Sequence, residues 1–256
     1  MVFKKKERES CMQIKKNIYG LKQTARAWNE KLTMLQSQNF QQGKAEPCLF
    51  TRLKDGHYQN VLTYVDDLIS CCQSKEDAQE IADNLNKEVE VKQLGDVNHY
   101  PGIQTERIEN GSFLWNQRHK IMDLAESLGM KDAKKVSTPL EPAYLNLKDG
   151  REQSAIQRDN WQTSLSTVSR PDIFVSVGIL CRKTDSPSHY DWNSVKSLDR
   201  YIIKTADLEL KISACDNLRL VEYMNSDWGE NKTDYKSISG HLFFCGESLI
   251  SWTSQK

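Results

Sequence analysis

Apolar residues recur at helical spacing in some stretches of this chain and at strand spacing in others. Over 24–40, TARAWNEKLTMLQSQNF, the residues Ala27, Trp28, Leu32, Leu35 and Phe40 fall near one helix face, with Thr24 placed as an N-cap. CLFTRLKDGHYQNVLTYV then offers two β-prone runs around Asp55-Gly56, a dipeptide that tolerates positive φ and predicts a hairpin. Strand character resumes in LISCC, so a second bend is expected at Asp66-Asp67, and the region reads as a β-meander with two carboxylates at a turn. SKEDAQEIADNLNKEVEV follows as a helix, with Ser74 and Asp77 in capping-box-like positions and Ala78, Ile81, Leu85 and Val89 on one face.

The alternation continues downstream. HYPGIQTERIENGSFLW predicts a hairpin turning at Asn110-Gly111, and HKIMDLAESLGM predicts a helix stopped by Gly129. From Val136 to about Ser154 periodicity is lost and Pro, Gly and charge collect, which marks a linker. RPDIFVSVGILCRK and HYDWNSVKSLDRYIIK then read as helices, the second with Trp192, Val195, Leu198 and Ile202 on its face. LRLVEYMNSD is strand-like, and GHLFFCGESLISW gives two short strands around Gly246-Glu247. Runs of helix and strand in this order predict an α+β fold.

Composition narrows the picture in three places. Lys+Arg and Asp+Glu total 35 each, so no global basic field draws the chain to nucleic acid. One local bias exists: residues 1–35 hold nine Lys/Arg against three Glu, which suits either a solvated arm or a phosphate-contacting surface. The seven cysteines form no C-x-x-C pair, and neither a secretory signal nor an apolar run of membrane-spanning length is present. Reduced thiols, an intracellular setting and no membrane association are therefore expected.

The chemistry centres on TYVDDLI. Two carboxylates brought to one turn repel each other unless a cation neutralises them, and hard oxygen ligands favour Mg²⁺ or Mn²⁺. Asp is also a common turn residue on its own account, so the pair alone leaves both readings open.

The surrounding blocks carry a resemblance. TYVDDLI resembles the YxDD box of reverse transcriptases, and IYGLKQTARAW, at 18–28, is similar to the YGLKQAPRAW signature of copia-type LTR retrotransposon polymerases. The likeness continues through EPCLF, LGDVNHYPGI, GMKDAKKVSTPLEP, SRPDI, HYDWNSVKSLDRYIIKT and SDWGENKTDYKSISG, in the family's order. It implies a partial palm and thumb over 1–141, a helical connection over 142–215, and the first strands of a ribonuclease H-like domain over 216–256. It further implies that Asp66 and Asp67 hold Mg²⁺ or Mn²⁺ for nucleotidyl transfer and that Tyr64 lies near the primer terminus. Gly20, Lys22, Gln23 and Arg26 match the box beside the incoming dNTP, on an RNA or DNA template-primer. Asp227 matches one ribonuclease H carboxylate.

Departures from the family qualify that expectation. No aspartate precedes Asp55, so the upstream palm carboxylate has no counterpart in these 256 residues, and the isolated chain is expected to be inactive as a polymerase. Asn225 stands where the family has its first ribonuclease H Asp, Glu46 replaces an Asp, and Pro101 falls where the family has Leu. A truncated polymerase region is thus expected; the alternative is a degenerate or co-opted fragment that at most binds nucleic acid or a partner.

Overall fold

The computed structural model describes Trp28 and residues 31–65, 67–100, 102–142, 144, 169–183, 187–214, 218–229 and 235–256. The chain divides into two compact units, Met1–Asp96 and Val97–Lys256.

In the first unit, helix α1 (Met34–Ser37) closes a helical stretch also recorded at Trp28, Lys31 and Leu32. The helix expected to reach Phe40 stops earlier because Asn39 takes φ 66, the left-handed C′ conformation, and the Phe40 amide turns back to the Leu35 carbonyl at 3.1 Å. Phe40 still reaches the core, as a residue beyond the helix. Strands β1 (Gln41–Gln42), β2 (Leu49–Lys54), β3 (His57–Tyr64) and β4 (Asp67–Cys71) form an antiparallel sheet in that order. The Asp55-Gly56 hairpin forms as expected, with φ 51 and 82 between the paired Lys54 and His57. Helix α2 (Lys75–Asn86) is capped by the Ser74 side chain, which accepts from the Asp77 amide at 3.1 Å. It ends before Val89, leaving Ile81 and Leu85 as its buried contacts.

Alternation along the strands sorts this sheet into two faces. One face carries Phe50, Arg52, Lys54, Gln59, Val61 and Thr63 toward the helices, where Leu32, Leu35, Phe40, Phe50, Val61, Ile81 and Leu85 form the core. Burying side chains of this size is worth about 1.5–3 kcal/mol each, which is what holds so short a helix as α1 in place. A polar network extends the attachment. Arg52 lies 4.6 Å over the Phe40 ring and donates to Gln59 Oε1 (2.6 Å), Glu80 Oε1 (3.2 Å) and the Gln38 carbonyl (3.1 Å), while Lys54 pairs with Glu80 and Asp77. The other face carries Leu49, Leu53, Tyr58, Leu62, Tyr64, Asp67 and Ile69.

The second unit contains β5 (His99–Tyr100), β6 (Ile103–Arg107), β7 (Phe113–Asn116), α3 (Arg118–Ser127), a 3₁₀ turn at Pro171–Ile173, α4 (Phe174–Cys181), α5 (His189–Lys204), β8 (Leu210–Ile212), β9 (Leu220–Ser226), β10 (Ser239–Cys245) and β11 (Ser248–Gln255). Two antiparallel sheets result, β5-β6-β7-β8 and β11-β10-β9. Gly129 takes φ 62 after α3 and the Met130 amide reaches the Ala125 carbonyl at 2.8 Å, the expected C-terminal stop. Ser188 and Asp191 form a reciprocal capping box at the start of α5, and Val195, Leu198 and Ile202 are buried along its expected face.

The stretch expected as a linker is anchored at its start. Leu140 packs on the core and Tyr144 lies within it, donating its hydroxyl to Asp191. Arg170, 2% exposed, grips Asp172 through Nε (2.8 Å) and Nη2 (2.7 Å) and also donates to the Thr205 carbonyl and hydroxyl. Burial works to raise the Asp172 carboxyl, but the Arg170 guanidinium, with help from the Tyr201 hydroxyl, outweighs it and holds the group below the usual carboxylate range. Among the described residues Cys48, Cys71, Cys72, Cys181 and Cys245 form no disulfide, and no helix is long and apolar enough to cross a membrane.

Candidate functional site

Strands β3 and β4 meet in a two-residue hairpin whose last pair is Tyr64 opposite Asp67. Asp66 lies outside the described residues. Asp67 opens β4 rather than lying in a turn, so the bend expected at Asp66-Asp67 begins earlier, at Val65. The reason is local: a tight hairpin joining right-twisted strands needs positive φ within its loop, and Val65 supplies φ 54. For a β-branched residue that conformation is an outlier and costs on the order of 1–3 kcal/mol. Nothing in the hydrophobic pattern signals it, because Val65 fits the strand period of TYV.

The register then decides what the turn presents. Leu49, Leu62 and Ile69 form one cross-strand row, and Tyr64 with Asp67 forms the next, on the face away from the helices. Tyr64 is 52% exposed and Asp67 is also exposed, above the half-buried Leu62 and Ile69. An exposed carboxylate is a suitable oxygen donor for a hard divalent cation. Among the described residues no group of three or more His, Cys, Asp or Glu stands close enough to hold a metal.

The remaining expected site residues are placed unevenly. Gly20, Lys22, Gln23 and Arg26 lie outside the described residues. Asp227 follows the last residue of β9, and its amide donates to the Ile238 carbonyl at 3.2 Å. Asn225 turns its side-chain oxygen back onto the Ser226 amide at 2.9 Å, so that oxygen is engaged by local backbone. Asp67 and Asp227 belong to different units.

The family described as reverse transcriptase (RNA-dependent DNA polymerase) matches residues 2–142, more than half of the chain and all of the hairpin. The chain belongs to that family. It is 29% identical over 248 residues to the retrovirus-related Pol polyprotein from transposon RE2 of Arabidopsis thaliana, an alignment covering 95% of this chain and 17% of the polyprotein. It is 28% identical over 257 aligned positions to the Pol polyprotein from transposon TNT 1-94 of Nicotiana tabacum, covering 94% and 19%. An uncharacterized mitochondrial protein of Arabidopsis thaliana is 28% identical over 200 residues, 77% of this chain and 82% of that protein. No solved structure matches. The chain thus corresponds to a reverse transcriptase-like region of a retrotransposon Pol polyprotein and spans less than a fifth of the polyproteins it matches. Within this reverse transcriptase region lie Gly20, Lys22, Gln23, Arg26, Tyr64, Asp66 and Asp67, whereas Asp227 lies beyond residue 142.

Proposed function

We propose that the β3–β4 hairpin is the metal-binding turn of a copia-type reverse transcriptase palm, with Asp66 and Asp67 as the carboxylates and Tyr64 beside the primer terminus. The observation that carries this reading is the Tyr64–Asp67 pair, exposed beside a turn at which Val65 takes φ 54, inside the family match. Strained backbone of this kind persists where the surrounding fold over-determines it, and it clusters at functional turns. Mg²⁺ or Mn²⁺, when bound, would activate the primer hydroxyl and steady the leaving pyrophosphate. Asp67 supplies oxygen ligands and Tyr64 offers a ring face, while Gly20, Lys22, Gln23 and Arg26 are assigned to the incoming dNTP. The same reading divides the chain into a palm and thumb part over 1–141, a connection over 142–215 and a ribonuclease H-like start over 216–256, with Asp227 as its remnant carboxylate.

These 256 residues by themselves are expected to be inactive, because no aspartate before Asp55 offers a third ligand. Losing one such ligand costs roughly a hundred-fold or more in rate. Primer extension on poly(rA)/oligo(dT) with Mg²⁺ or Mn²⁺ tests this: extension that disappears in Asp66→Asn would overturn the inactivity. A second reading is favoured by the mitochondrial relative, of which this region fills 82%. On that reading the region serves as a non-catalytic module that binds nucleic acid through its basic first 35 residues. Salt-dependent binding that weakens when Lys15, Lys16, Lys22 and Arg26 are neutralised is the expected result, and binding indifferent to those changes would count against it.

A further inference from the structure

A second turn stands at the same end of the first sheet as the Tyr64–Asp67 pair. Leu49 pairs with Leu62, so the chain running back from Leu49 draws alongside Thr63. The Thr63 amide and hydroxyl both donate to the Cys48 carbonyl, at 2.9 and 3.2 Å. The Cys48 amide donates in turn to Glu46 Oε1 at 3.0 Å, and the Leu49 amide to the Glu46 carbonyl at 3.1 Å. Gln42 Nε2 donates to the Pro47 carbonyl at 2.8 Å and the Gly43 amide to the Leu49 carbonyl at 2.7 Å, which closes the loop. Glycine is required at 43, since a Cβ there would stand 2.6 Å from the Glu46 carbonyl oxygen, a backbone atom with little room to yield.

Thr63 joins the two turns. It immediately precedes Tyr64, pairs with Leu68, and is 5% exposed, so the Cys48 carbonyl rather than water satisfies its hydroxyl. Hairpin ends ordinarily fray, and a strained turn at Val65 would add to that tendency. The Cys48 carbonyl, accepting twice from Thr63, and the Cys48 amide, donating to the Glu46 carboxylate, together oppose both.

We propose that Thr63 and Glu46 are positioning residues: through Cys48 they clamp the end of β3 to the 43–49 turn and so fix where Tyr64 and Asp67 stand. The functional consequence rests on reading the hairpin as a metal-binding turn; the clamp itself rests on the hydrogen bonds alone.

Amide hydrogen exchange on the full chain, followed by NMR, tests it. Thr63→Val keeps the β-branch and removes only the hydroxyl, and Glu46→Ala removes the carboxylate. Either change is expected to speed exchange over 63–69 about fivefold while the Ile81 and Leu85 amides of α2 keep their wild-type rates. Thr63→Ser and Glu46→Asp, which restore the donor and the acceptor, are expected to return the rates toward wild type. Unchanged exchange over 63–69 in both variants, or an equal loss at Ile81 and Leu85, would overturn the proposal. Mn²⁺ added to the same samples separates this clamp from the metal reading. Broadening at Asp67 that needs several-fold more Mn²⁺ in Thr63→Val supports the positioning role, and broadening equal in both proteins overturns it. Absence of broadening at Asp67 in the wild type overturns the metal reading, while exchange still decides the clamp.

Discussion

The hairpin carrying Asp67 and the strand leading to Asp227 are both antiparallel, and both place an acidic residue at a strand end. What lies behind them differs. Gln59, Val61 and Thr63 of β3 are buried beneath α1 and α2, so one face of that hairpin is fixed by a core and the other is left for solvent or a ligand. In β9, Leu220, Tyr223 and Met224 are 70%, 62% and 71% exposed, and the strand's other described positions are no more than half-buried. A carboxylate is held only as firmly as the sheet beneath it. That contrast favours the first position over the second as a place where geometry could matter for chemistry.

Core truncation tests the contrast most strongly. Phe50→Ala is expected to destabilise the first unit by about 3–5 kcal/mol, whereas Met224→Ala should stay within about 0.5 kcal/mol, both read from urea unfolding by circular dichroism. Comparable losses would erase the difference between the sheets. A buried charge gives the second unit its own sharp point. Arg170→Ala is expected to cost about 3 kcal/mol, because it strands the Asp172 carboxylate and the Thr205 carbonyl, while removing the half-buried Lys54, whose partners Asp77 and Glu80 keep access to water, should cost clearly less.

Smaller effects sharpen the comparison at the turn. Val65→Gly relieves the φ 54 strain at the price of chain entropy in the unfolded state, so a net gain of at most about 1 kcal/mol is expected. A clear loss of stability would mean that the Val65 side chain is held by packing rather than tolerated. The smallest effect is pH dependence. The hydrogen bond from Ser74 holds Asp77 below its usual range, and the one from Lys54 does the same for Glu80. A carboxyl lowered on folding contributes stability above its unfolded value and loses it as pH falls through the folded one. Urea midpoints should therefore decline slightly between pH 5 and 3, through about the ordinary carboxylate range and below it. Midpoints that rise on acidification would contradict these pairings.

The local pattern was a good guide where neighbours in sequence are neighbours in space. The Asp55-Gly56 hairpin, the Ser74 cap, the Gly129 stop and the apolar face of α5 all follow from spacing within a few residues. The short strands β1 and β8 were not legible, because each owes its existence to a partner elsewhere: β8 pairs Leu210 with Trp115, almost a hundred residues earlier, and carries too little periodicity of its own. The helix over 24–40 was overextended for the opposite reason, since a left-handed Asn39 can end a helix within an unbroken apolar pattern.

For the candidate site, the sequence by itself determined the chemistry available: adjacent carboxylates in a β-prone run, and the blocks that place the chain among reverse transcriptases. Only the tertiary structure decided which face Asp67 occupies, that the bend begins at Val65, and that Thr63 is held by a carbonyl from the turn before β2. The physical reason is that residue types and their spacing are written along one dimension. Register, burial and the direction of a hydrogen bond depend on which strands meet, and core packing settles that for the whole sheet at once.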